Sequence, residues 1–145
     1  MDFTEYQEIA FSTCTPECYT DDYLDLGYLS EVGELAGKLA KQIRGDDVHF
    51  KDIMHEIGDI AWMIAVKARL HGQEISTEAT ADAICLKKIY DLLCPSNDSH
   101  NLKAAVLINV CEELGFDFQT CLQMNIDKLA SRRLRGVIQG DGDYR

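Results

Sequence analysis

Residues 29–39 read LSEVGELAGKL and residues 54–64 read MHEIGDIAWMI, and these two stretches decide the fold. Apolar residues return at three- and four-residue steps around each. Val32, Leu35, Ala36, Leu39 and Ile43 make one stripe; Phe50, Ile53, Ile57, Ile60 and Ile64 make the other. A 3.6-residue period gathers such positions on one side of an α-helix, whereas a strand would alternate. Each stretch also carries an acid pair three residues apart, Glu31 with Glu34 and Glu56 with Asp59, adjacent on a helical face. Gly45-Asp46-Asp47 breaks the pattern between them. Positions 31 and 59 are equidistant from Gly45, and so are 34 and 56. An antiparallel helical hairpin turning at Gly45 therefore sets Glu31 level with Asp59 and Glu34 level with Glu56. The four carboxylates then share one seam on the flank of the two apolar stripes.

Outward from this hairpin the same periodicity predicts helices near 3–13, 22–44, 48–71, 76–93, 101–114 and 117–134. The two prolines, Pro16 and Pro95, sit in polar stretches between them. Strand-like alternation is absent, and the end from Gly136 onward reads as irregular. The expectation is an all-α antiparallel helical bundle, one domain over 1–145, a length that supports a substantial core.

Composition narrows the function classes. The chain carries 25 acidic and 14 basic residues, a formal charge of −11. That balance excludes the basic face a nucleic acid polymer requires and disfavours docking on an anionic membrane. It leaves room for a small polyanionic substrate only if cations intervene. No stretch reaches the roughly 20 apolar residues of a membrane span. The start, MDFTEYQEIAFSTC, lacks the basic and apolar regions of a signal peptide. Six scattered cysteines without a C-x-x-C pair suggest reduced thiols in a cytoplasmic protein.

One acid pair on a helix is an ordinary solvated face. Two pairs matched in level across a hairpin, both beside a core, point to a site. Four clustered anions are costly unless neutralised. Mg²⁺ is suited to that task, with Mn²⁺ as an alternative, because it takes carboxylate oxygen and keeps waters that phosphates can replace. Lys38 follows Glu34 at i+4 and serves either an ordinary ion pair or a phosphate contact. His55-Glu56-x-x-Asp59 lacks the second imidazole of the zinc motif H-E-x-x-H, and neither a P-loop nor a G-x-S-x-G elbow occurs. His49, His71 and His100 fall at turns and are expected to be exposed.

The ordered pattern E-x-x-E, spacer, E-x-x-D resembles the all-α nucleoside triphosphate pyrophosphohydrolases of the MazG type. Glu5-Tyr6-Gln7 with Ala10 and Thr13 is similar to that family's first helix. Tyr23 to Glu34 is similar to its first metal helix and His55 to Trp62 to its second. Glu113-Leu114-Gly115 with Asn125 to Leu129 resembles its last helix, and Arg135 to Arg145 the tail of one subgroup. Residues 73–103 fall outside the likeness and read as an inserted helix with a loop. Two positions depart from the pattern: Ser30 stands where many relatives carry a second Glu, and Tyr144 replaces the usual penultimate Asn.

The resemblance implies hydrolysis of a (deoxy)nucleoside triphosphate to monophosphate and pyrophosphate. It also implies a homodimer or a dimer of dimers. Glu31, Glu34, Glu56 and Asp59 would bind Mg²⁺, and either Glu34 or Glu56 would orient the attacking water. Asn125 and Lys128 would sit near the phosphates or the metal-bound waters, Arg132, Arg133, Asp143 and Arg145 are candidates for nucleotide contact, and Lys38 is the phosphate contact already named. Trp62, Tyr6 and Phe3 are candidates for a wall against the base. The alternatives are a pyrophosphohydrolase acting on a phosphoribosyl nucleotide and a non-catalytic metal-dependent nucleotide-binding module.

Overall fold

The computed structural model describes residues 1–75 and 99–136. The expected helix at 76–93 and the tail containing Asp143 and Arg145 lie outside the described residues. The elements are α1 (Phe3–Ser12), a short 3₁₀ turn (Pro16–Cys18), α2 (Asp21–Arg44), α3 (Phe50–Leu70), α4 (His100–Glu113) and α5 (Phe118–Leu134). Each helix lies within two residues of its expected bounds, and no strand occurs among the described residues. The molecule is an all-α bundle.

Local sequence sets the helix ends. Asp2 accepts from the backbone N–H of Glu5, and the Glu5 side chain accepts from Asp2 in return, a capping box at the start of α1. Thr20, Ser99 and Asp117 cap α2, α4 and α5 in the same acceptor role. Gly45 closes α2 at φ +93°, the left-handed conformation that a residue without Cβ adopts at least cost.

Helix α3 is the axis of the bundle. It packs against α1, α2, α4 and α5. Its burial is consequently not confined to the Ile53, Ile57, Ile60 and Ile64 stripe: Ala61, Trp62, Ala65, Val66 and Ala68 are buried as well. A helix surrounded by others must be apolar around its circumference. This corrects the expectation of a one-sided stripe with the acids at its margin. Glu56 lies inside the molecule with no exposed surface.

The hairpin of α2 and α3 has the expected register. Asp25 pairs with Lys67, and Asp21 Oδ1 lies 2.7 Å from His71 Nε2, both across the two helices. Near the turn the stripes outrun the packing, leaving Ile43 82% and Phe50 52% exposed. His49 and His71 are exposed as expected, whereas His100, at the first position of α4, is buried.

Candidate functional site

Glu31 of α2 and Glu56 and Asp59 of α3 form the candidate centre. Each offers a carboxylate oxygen, and these oxygens lie within 4.8 Å of one another. Three of the four acids selected from sequence are thus brought together. Glu34 is exposed and stands outside the trio. The reason is angular: three residues advance a helix by 300°, so Glu34 sits 60° from Glu31, turned away from the buried side marked by Leu35 and Val32. It remains close enough to act on Glu31 electrostatically. The Glu31 carboxyl is pushed up to about 8 from its ordinary 4.5, first by burial and then by Asp59, Glu34 and Glu56, with Lys128 opposing.

Two lysines meet the trio. Lys38, two turns along α2 from Glu31, pairs with Glu56 Oε1. Lys128 of α5 donates to both oxygens of Asp59, at 2.6 and 2.5 Å. Lys38 therefore pairs across the hairpin with Glu56 and not along its own helix with Glu34. Asn125, one turn before Lys128, donates its Nδ2 to Asp59 Oδ1 at 2.7 Å. Position 58 permits this approach: a Cβ there would lie 2.8 Å from Asn125 Cβ and 3.0 Å from the carbonyl oxygen of Cys121.

The remaining candidates divide. Arg132 lies two turns beyond Asn125 and is buried, and Arg133 is exposed. Trp62 lies within one turn of Asp59 on α3, its indole Nε1 donates to Thr13 Oγ1 at the end of α1 at 2.9 Å, and the residue is buried. It is core, not a free stacking platform. Tyr6 and Phe3 are core for the same reason: both are buried, and the Phe3 ring meets Tyr6 edge-on at 5.6 Å and stacks on Phe118 at 5.7 Å.

Sequence reasoning named Tyr6 as a wall against the base and missed its link to the site. The Tyr6 hydroxyl lies 2.8 Å from Asn125 Oδ1 and 3.2 Å from the Gly58 carbonyl oxygen. Nothing local to Glu5-Tyr6-Gln7 signals this, because the partners lie 52 and 119 residues away. Glycine directly before Asp59 was the available clue, since a helix interior favours alanine unless another backbone comes close.

The donor set fits a hard divalent cation. It consists entirely of carboxylate oxygens and is partly withdrawn from water; burial first, and then the neighbouring carboxylates, raise the Glu31 carboxyl.

The chain is 26% identical over 128 residues to the Gene 37 protein of Mycobacterium phage L5, a match covering 85% of this chain and 75% of that protein. No family model matches the chain, and no solved structure matches it.

Proposed function

We propose that the protein is a Mg²⁺-dependent nucleoside triphosphate pyrophosphohydrolase that works in the cytoplasm, yielding monophosphate and pyrophosphate. The observation that carries this reading is the Glu31, Glu56 and Asp59 trio, gathered within 4.8 Å on two antiparallel helices with Glu56 fully enclosed. The MazG-type resemblance of the same residues supplies the substrate class.

Glu31, Glu56 and Asp59 would hold the ion. A divalent cation there supplies the charge that draws phosphate oxygens to an acidic protein and the polarisation that activates water toward phosphorus. Water adds to the α-phosphorus, the bond from that phosphorus to the bridging oxygen of the β-phosphate breaks, and pyrophosphate leaves. Of the two acids expected to orient that water, Glu34 is favoured, and it would also take the proton that the water gives up. It is open to solvent beside the trio, whereas Glu56 is enclosed and paired with Lys38. Lys38 and Lys128, which neutralise Glu56 and Asp59, carry the positive charge that would offset the β- and γ-phosphates. Arg133, exposed on the last turn of α5, is a further phosphate contact in this reading. The homodimer or dimer of dimers is supported by one face of α2, where Leu26 is 69% exposed beside exposed Leu29, Gly33 and Gly37.

The test is release of pyrophosphate and monophosphate from a panel of ribo- and deoxyribonucleoside triphosphates with Mg²⁺, with a phosphoribosyl nucleotide in the same panel. Glu56→Gln and Asp59→Asn should each abolish turnover while the helical circular dichroism persists. Full activity in either variant, or no product from any nucleotide with the wild type, refutes the proposal. Mg²⁺-dependent nucleotide binding without product would favour a binding module.

A further inference from the structure

A continuous run of hydrogen bonds joins α1 to the carboxylate centre. Tyr6 O–H meets Asn125 Oδ1 at 2.8 Å, and Asn125 Nδ2 donates to Asp59 Oδ1 at 2.7 Å. Tyr6 and Asn125 are both buried, so water does not compete for either end. The amide orientation is dictated by its neighbours. A carboxylate only accepts and so takes Nδ2, which leaves Oδ1 for the phenol proton. Burial, with the Asp59 charge adding to it, holds the Tyr6 hydroxyl well above its usual range, so it stays a donor.

We propose that Tyr6 is a positioning residue of the carboxylate centre, acting through Asn125 to hold Asp59 turned toward Glu31 and Glu56. The role rests on the metal-binding reading of the centre given above. A tyrosine required only to satisfy its hydroxyl has the Gly58 carbonyl oxygen at 3.2 Å. The shorter bond runs instead to an amide whose other end is on a carboxylate of the trio. Three helices are thereby tied at one point. Asp59 lies on α3, Asn125 on α5 and Tyr6 on α1, and the bare Gly58 backbone lets α5 come near enough for the amide to reach. Groups that orient a metal-binding carboxylate from behind set its affinity, and their loss typically costs about 10- to 100-fold in metal binding.

The test is calorimetric titration of the full chain with Mg²⁺ alone. Tyr6→Phe, which removes one oxygen and keeps the ring, should weaken binding by about 10-fold or more. Asn125→Leu should do the same, and adding Tyr6→Phe to it should cause no further loss, because both act through one link. Gln7→Met is the control: Gln7 is equally buried on α1, but its amide donates to the carbonyls of Ala65 and Gln73, away from the trio. Its Mg²⁺ affinity should match the wild type. Tyr6→Phe binding within twofold of the wild type, or an equal loss in Gln7→Met, overturns the proposal. Where Tyr6→Phe does not fold, Asn125→Leu decides, since it leaves Tyr6 its Gly58 partner; unchanged affinity there also overturns it. A wild type that binds neither Mg²⁺ nor Mn²⁺ removes the metal reading but not this link. In that case, the drop in urea midpoint caused by Tyr6→Phe must shrink at least twofold in an Asp59→Asn background, and equal drops overturn it.

Discussion

Gly58→Ala adds one methyl group at the closest approach of α3 and α5. The new Cβ would lie 2.8 Å from Asn125 Cβ and 3.0 Å from the carbonyl oxygen of Cys121. Carbon atoms in comfortable contact stand about 3.5–4.0 Å apart, so the overlap with Asn125 is roughly 0.7 Å or more. Neither obstructing atom can rotate away, since one is backbone and the other is bonded directly to it. Helix α5 itself must shift. Overpacking of this kind costs about 1–3 kcal/mol, against which alanine gains about 1 kcal/mol over glycine in a helix interior. With both obstructing atoms fixed to the backbone the upper part of that range applies, about 2–3 kcal/mol, so the expected net loss is about 1–2 kcal/mol, or roughly 3–7 °C in Tm for a domain of this size. Gly27→Ala supplies the comparison. Its Cβ meets Met63 Cε at 2.6 Å and Sδ at 2.9 Å, nominally the tighter contact, but these atoms end a flexible side chain. Gly27→Ala should therefore melt within about 2 °C of the wild type or above it. Thermal melts followed by circular dichroism at 222 nm decide the matter. A Gly58→Ala protein as stable as the wild type, or a Gly27→Ala protein that loses more than it does, would refute the distinction between backbone and side-chain obstruction.

Three further perturbations probe the site. Because the Glu31 carboxyl is raised to about 8 from 4.5 in the fold, the native state binds the extra proton. Stability from this group is complete below pH 4.5 and is lost as pH rises toward 8. At 1.4 kcal/mol per pH unit the loss reaches about 5 kcal/mol before solvent screening and about 2–3 after it. Glu31→Gln should thus raise the Tm of the metal-free protein by about 5–10 °C at pH 8 and change it little near pH 4.5; no gain at pH 8 would discard the electrostatic account. Lys128→Met should lower stability by about 2 kcal/mol without metal, by leaving a half-buried Asp59 charge less compensated, and Mg²⁺ should recover more stability in this variant than in the wild type. Urea titrations with and without the ion read both effects, and an unchanged midpoint speaks against the pairing. Trp62→Phe should cost about 1 kcal/mol through the lost bond to Thr13 and leave nucleotide affinity unaltered; a large fall in affinity would restore Trp62 as a wall of the substrate site.

Much of the architecture was readable from the linear pattern. The five helices among the described residues follow from apolar spacing and from the glycine and proline breaks between stripes, both of which act within a few positions of the chain. The hairpin register was readable too, because a glycine that ends one helix and two acid pairs equidistant from it leave one antiparallel alignment that matches charge to charge. Other features depended on neighbours distant in sequence. Glu34 follows the same pairing rule as Glu31, yet it is excluded from the trio because burial is decided by what packs on the far side of α2. Ile43 and Phe50 continue their stripes beyond the end of the partner helix and stay exposed. His100 begins a helix, which ordinarily means exposure, and is buried all the same.

By itself, the sequence determined a helical chain with a hairpin whose two helices each carry an acid pair at matching level. Those properties depend on short-range periodicity and on one turn. Only the tertiary structure decided that α3 is the axis of the bundle, that Glu56 is therefore enclosed, and that Lys38 and Lys128 pair with the trio from α2 and α5. The Tyr6, Asn125 and Asp59 chain belongs to the same class. Its three members come from three helices and up to 119 residues apart, and they meet because a backbone without a side chain at Gly58 lets α5 approach α3. No spacing along a single helix encodes such a meeting.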